Sequence, residues 1–237
     1  MDIIYLIEDY IDSFSYHSSD VTWCETHYTQ SEYIVEFWNT LSSVFIALTG
    51  LYGLYFSNSK TKQFYVLLTM IGIASMYFHA TLSFAGQLFD ELGITLIMLL
   101  ANFVLYKDDK IGKNIVCAFG LIQIIIQFTY SEYNRFILFL YAILFINKFW
   151  QMILSENRIT RLYANVAFGL FIMSGICWIF DFYACNSFFN FHALWHIFIA
   201  LTAYFTIETC FINFEHNSNI HVNSNLSDLY WSDFYES

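Results

Sequence analysis

His192 and His196 stand four residues apart in the run FHALWH. At helical spacing both imidazoles project from one face of a helix. Such a pair grips a divalent metal, and His79, in SMYFHATL, can supply a third nitrogen. Three protein ligands with a fourth position open is the pattern of catalytic zinc, which brings the pKa of water down to about 7. The plain alternative is that these rings bond one another or backbone carbonyls, since the pair is short and lacks a neighbouring Glu base. Asp90 is the candidate general acid/base, able to take a proton from an attacking water and return it to a leaving group. It could equally be a partner that fixes one His tautomer. Ser75 lies one turn before His79 and shares its face, where it could hydrogen-bond an oxyanion or a water; a helical Ser can also spend its hydroxyl on its own backbone.

These residues need elements to bring them together, and composition says what kind. Of 237 residues, 58% are hydrophobic and only 12% charged, and the mean hydropathy is +0.51. Soluble domains carry about 25% charged residues, so this chain belongs in a membrane. A formal charge of -11 leaves no basic surface for nucleic acid. Apolar runs of about 20 residues can span hydrocarbon. Seven occur, from Glu36 to Phe56, Gln63 to Phe84, Gln87 to Tyr106, Asn114 to Tyr130, Tyr133 to Leu154, Leu162 to Ala184 and Phe191 to Phe214. The links at Ala85–Gly86 and Ser131–Glu132 are very short. The expected fold is an all-α membrane protein, a bundle of seven transmembrane helices.

Charge placement gives the orientation. Lys60, Lys62, Lys107, Lys110, Lys113, Lys148, Arg158 and Arg161 all fall on one side of such a bundle, and only Arg135 on the other. Cytoplasmic loops hold the Lys and Arg, which places the N-terminus in the lumen and the C-terminus in the cytosol. The acidic start MDIIYLIEDYIDSF does not read as a signal peptide. Three regions follow: a lumenal segment over 1–35, a helical catalytic domain over 36–214, and an acidic tail over 215–237, polar enough to be disordered. The sequon at Asn225 lies in that tail and should stay unmodified. With this topology His79, Asp90, Glu91, Asp181, His192 and His196 gather at lumenal helix ends, and ionisable groups within spans are functional by default. His17, His27, His216 and His221 fall outside the spans and read as solvated. Cys117 and Cys177 read as packing residues, and Cys210 lies toward the reducing side. Cys24 and Cys185 share the lumenal region, where they could form a disulfide or remain two thiols.

Several runs resemble the alkaline ceramidase family: TWCETHYTQSEYIVEFWNTLSS (Thr22 to Ser43), SMYFHATLSFAGQLFDEL (Ser75 to Leu92), NFHALWHIFIALTAY (Asn190 to Tyr204) and, less closely, WIFDFYAC (Trp178 to Cys185). They occur in matching order between Thr22 and Tyr204. The resemblance implies a membrane amide hydrolase of sphingolipid metabolism, cleaving ceramide to a sphingoid base and a fatty acid in the endoplasmic reticulum or Golgi. It implies zinc on His79, His192 and His196, acid/base chemistry at Asp90, an oxyanion or water contact at Ser75, and a Cys24–Cys185 disulfide. It also implies a calcium site using the Trp23 carbonyl, Glu25 and Glu36. There this chain departs, with Thr22 where the family has Asp and His27 where it has Asn; calcium wants hard oxygen ligands, so that site is weakened. Gly93 likewise replaces a Pro after Asp90-Glu91-Leu92. Ceramide or a related sphingolipid and the bilayer are the expected partners, with no obligate protein partner.

Two other readings compete. A lipid-signalling receptor related to the adiponectin and progestin receptors shares the three-histidine heptahelical plan but resembles the inverted orientation, against the Lys/Arg placement here. A retinal protein would need a Lys on the seventh helix for its Schiff base, and that helix has none.

Overall fold

The structure, a computed structural model, describes residues 16–106, 109–130, 133–183, 185 and 190–235; the side chains of 135–137, 139–140 and 215–235 lie outside that description. Among the described residues the elements are seven helices: α1 Phe37–Phe56, α2 Lys62–Thr81, α3 Phe84–Leu105, α4 Lys110–Thr129, α5 Asn134–Ile153, α6 Arg158–Tyr183 and α7 Phe191–Tyr235. One isolated bridge, Ser18 to Ser83, is the only β pairing among them. Six helices are long and apolar enough to cross a membrane: α1, α2, α3, α4, α6 and the Phe191–Phe214 part of α7. The seventh, α5, has part of its side chains outside the described residues and is not among those six.

Helix starts differ from the apolar runs where a polar cap precedes them. Helix α4 begins at Lys110 rather than Asn114, because the Asp109 side chain accepts from the Gly112 N–H at 2.9 Å. Helix α6 begins at Arg158 rather than Leu162, where Asn157 Oδ1 accepts from the N–H groups of Ile159 and Thr160. Both are N-caps that satisfy donors a helix start leaves open. The charged first turns they allow do not register in an apolar count. Helix α7 keeps its helical backbone to Tyr235, past Phe214, through the segment expected to be disordered. No Gly or Pro follows Phe214 to interrupt it.

The α2–α3 link falls at Leu82–Ser83, not at Ala85–Gly86. Leu82 closes α2 in the left-handed region at φ 44, which costs a non-glycine residue roughly 1–2 kcal/mol. Its side chain is buried with Val35 and Phe78, and its carbonyl accepts from the Ser19 N–H at 2.8 Å, which offsets that cost. Ser83 then caps α3 through the Gly86 N–H at 3.1 Å. Gly86 serves close approach rather than the turn: a Cβ there would lie 2.8 Å from Phe78 Cα.

Helix α1 packs on both α2 and α7, α6 packs on α7, and α3 lies against α2, α4 and α5. Ile46 of α1, Tyr65, Leu68 and Ile71 of α2, and Ala200 and Ile207 of α7 form one buried cluster. Small residues let helices of this kind touch backbone to backbone. A Cβ on Gly72 would stand 2.2 Å from the Ala47 backbone nitrogen. That contact locks the register of α1 against α2, and so decides which α1 residues meet the C-terminal turn of α2, where His79 sits.

Candidate metal centre

His79 lies in the last turn of α2, and His192 and His196 in the first two turns of α7. Their rings converge, with centroids 5.1 Å apart for His79–His192, 5.0 Å for His79–His196 and 4.7 Å for His192–His196. One ligand atom from each lies within 4.8 Å of the others. All three are buried, at 1%, 2% and 0% exposure. Among the described residues this is the one group of three His, Cys, Asp or Glu side chains placed to share a metal ion.

Hydrogen bonding shows which atoms are free to do so. The Nδ1 of His79 lies 2.6 Å from Glu36 Oε2, and the Nδ1 of His196 lies 2.7 Å from Ser42 Oγ. On the inward side, His79 Nε2 is buried with no protein partner, and so is His192 Nδ1. His196 Nε2 has only Ser75 Oγ, at 3.5 Å, too long for a strong bond. Buried polar atoms nearly always find a partner. Converging imidazole nitrogens without one, held from behind by other groups, fit a metal that favours nitrogen ligands.

Ser75 and Asp90 stand beside the rings. Ser75 of α2 is 1% exposed and Asp90 of α3 is 8% exposed, and Ser75 lies close enough to act on the Asp90 carboxyl. Ser75 Oγ also lies 3.1 Å from Ser43 Oγ on α1. The expected grouping of His79, His192, His196, Ser75 and Asp90 is therefore one contiguous cluster.

The N-terminal segment forms a strap over it. The Trp23 ring stacks on His192 at 3.7 Å between centroids and 22° between planes. Cys24 and Cys185 form a disulfide with Cα atoms 4.8 Å apart. Asp181, at the end of α6, accepts from the Cys24 N–H at 3.3 Å and from the His192 N–H at 3.2 Å. One carboxylate thus ties the strap to the start of α7, where a negative charge also suits the helix dipole. Glu25 caps α1, accepting from the N–H groups of Trp38 and Asn39 at 2.7 and 2.8 Å. Burial pushes the Glu25 carboxyl above its ordinary range, and those two backbone donors oppose the push.

The residues matched to calcium are spent differently here. Glu25 uses both oxygens on α1. Glu36 accepts from the Trp23 N–H and Asn39 Nδ2 as well as facing His79. Thr22 is exposed, and His27 offers a nitrogen 3.7 Å from Glu36 Oε1. Calcium takes six to eight oxygen ligands, and this donor set fits it poorly. Ser42, Ser43 and Asn39, which the motif reading did not single out, complete the site from α1; neutral side chains on an apolar helix give no signal in sequence. Cys117 is exposed on its helix and Cys177 is buried.

A family model described as ceramidase matches residues 15–236 of this chain. Among curated proteins, alkaline ceramidase 1 of Mus musculus is 31% identical over 220 residues, covering 83% of this chain and 80% of that protein. An alkaline ceramidase of Drosophila melanogaster is 33% identical over 212 residues, covering 79% and 74%. One from Arabidopsis thaliana is 28% identical over 209 residues, covering 79% and 80%.

Proposed function

The chain belongs to the ceramidase family, and from that premise we propose a zinc-dependent amide hydrolase that cleaves ceramide into a sphingoid base and a free fatty acid. The observation that carries the reading is the buried meeting of His79, His192 and His196, where His79 Nε2 and His192 Nδ1 have no protein partner and His196 Nε2 has only a long contact to Ser75. Three imidazoles suit zinc better than oxygen-seeking calcium or magnesium. When bound, zinc supplies a Lewis acid that polarises a carbonyl and acidifies water.

The chain's own residues do the rest. The three histidines hold the ion. Asp90 takes a proton from the attacking water and passes it to the departing amine nitrogen, whose bond to the acyl carbon breaks as the water oxygen adds. Ser75, between Asp90 and His196, presents its hydroxyl to the water or the carbonyl oxygen. Trp23 lies flat on His192 and keeps bulk water off that ligand, which strengthens electrostatics beneath it.

The helices form a multi-pass membrane bundle with the N-terminus lumenal and the C-terminus cytosolic, in the endoplasmic reticulum or Golgi. The one-sided Lys and Arg supports that orientation, and the lumenal disulfide agrees with it. Ceramide reaches the site laterally from the bilayer, and no protein partner is required. The test is hydrolysis of a fluorescent ceramide by purified protein together with elemental analysis. One zinc per chain and turnover lost in His79→Ala are expected. Turnover that persists in His79→Ala, or in wild type freed of zinc, sinks the reading.

A further inference from the structure

The ligands come from α2 and α7, but two of the three are aimed by α1. Glu36, immediately before α1, faces His79 Nδ1; Ser42, on α1, faces His196 Nδ1. Ser42 has a single proton. Its Oγ lies 3.1 Å from the Asn39 carbonyl, three residues back on the same helix. A carbonyl can only accept, so that bond takes the hydroxyl proton, beside the one the Ser43 hydroxyl gives the same carbonyl at 2.7 Å. The Ser42 oxygen is then left as the acceptor for an N–H on His196 Nδ1, 2.7 Å away. An imidazole that carries its proton on Nδ1 presents the Nε2 lone pair, on the side where His79 and His192 converge. The same logic holds at His79, where an ionised Glu36 can only accept.

We infer that Ser42 is a positioning residue, its oxygen fixing the tautomer and ring orientation of His196 so that Nε2 faces the metal. It acts through the His196 ring. The assignment rests on the metal centre argued under Proposed function. Partners of this kind are worth about 10–100-fold in metal affinity. Ser42 can exert that leverage because α1 cannot slide: Gly72 holds α1 against α2, and the Ile46 cluster holds it against α7.

The test compares zinc retention in wild type, Ser42→Ala and Ser42→Thr, each full-length in detergent, with Leu48→Ala as a control elsewhere on α1, where Leu48 is 56% exposed. Competition with a zinc chelator gives affinity and release rate, and thermal unfolding in excess zinc reports folding. Ser42→Ala should hold zinc about 10–100-fold more weakly, regain turnover in excess zinc with KM unchanged, and unfold like wild type when loaded. Ser42→Thr, which keeps the hydroxyl, should restore retention, and Leu48→Ala should change nothing. Wild-type affinity in Ser42→Ala overturns the inference alone. So does equal loss in Ser42→Thr or in Leu48→Ala, since the cause would then be packing. Wild type that takes up no zinc overturns both this assignment and the zinc reading beneath it.

Discussion

Asp90 and Glu91 are neighbours on α3 and end in opposite circumstances. Glu91 is enclosed by donors: Gln87 Nε2 bonds one oxygen at 3.0 Å and Asn134 Nδ2 the other at 2.6 Å. Asn134 is held in turn by Gln123, whose amide bonds its carbonyl oxygens. Gln87 reaches the N-terminal segment through the Asp20 N–H at 2.9 Å. The chain of amides joins α3, α4 and α5, and its carboxylate has little capacity left. Asp90 lies instead near Ser75 of α2, which leads to Ser43 and to the three histidines, two of which carry a buried ring nitrogen with no protein partner. Polarity and burial alone do not mark a reactive site inside a membrane bundle. What separates the two regions is the kind of capacity left unspent: one amide oxygen, Gln123 Oε1, in the Glu91 network, against converging imidazole nitrogens where the rings meet.

The largest expected effect tests that separation directly. Asp90→Asn keeps shape and size but cannot carry the proton. Turnover should fall by about 10²–10⁴-fold, the range for a general acid/base, while zinc content stays at the wild-type level. Glu91→Gln, one residue away, should turn over ceramide at nearly the wild-type rate once folded protein is normalised. Parallel measurement of kcat and zinc in both variants checks this. If kcat collapses equally in both, the two carboxylates are not functionally distinct.

Sequence carried the architecture a long way. Seven apolar runs correspond to seven helices, because period and length are local properties. The i, i+4 spacing of His192 and His196, with His79 at the same end of the bundle, was enough to name the three rings that converge. The orienting groups were hidden for a physical reason: Ser42 matters only because α1 lies across both α2 and α7, and nothing in NTLSS announces that. Glu36 was singled out for calcium, yet it faces His79 at 2.6 Å, a relation set by the strap and the α1 cap rather than by spacing. The Leu82 turn escaped for a similar reason, since a buried leucine in the left-handed region is held by tertiary contacts that no turn propensity encodes.

On the Glu91 side the expected effects are on stability. Glu91→Gln replaces one accepting oxygen by an NH2 that must face Gln87 Nε2 or Asn134 Nδ2, donor against donor. Losing hydrogen bonds to a charged group costs about 1.5–3 kcal/mol. A clear fall in Tm is therefore expected, with zinc retained in the folded fraction. An unchanged Tm means the amide chain does not brace α3 against α4 and α5.

The smallest effect probes the interior of the same network. Thr95 is fully buried on α3; its hydroxyl donates to the Glu91 carbonyl at 3.0 Å and sits 3.5 Å from Gln127 Oε1. Gln127 meanwhile bonds the Leu88 carbonyl through Nε2 at 2.9 Å. Thr95→Val keeps the volume and removes only the hydroxyl. The Glu91 carbonyl keeps its place in the helix ladder, so the cost is that of one hydroxyl–carbonyl bond, about 0.5–1.5 kcal/mol. Tm should drop slightly, and kcat and zinc content should both hold. A measurable loss of zinc or turnover here would show that α3 transmits distortion across the one peptide bond between Glu91 and Asp90. The two regions would then behave as a single unit.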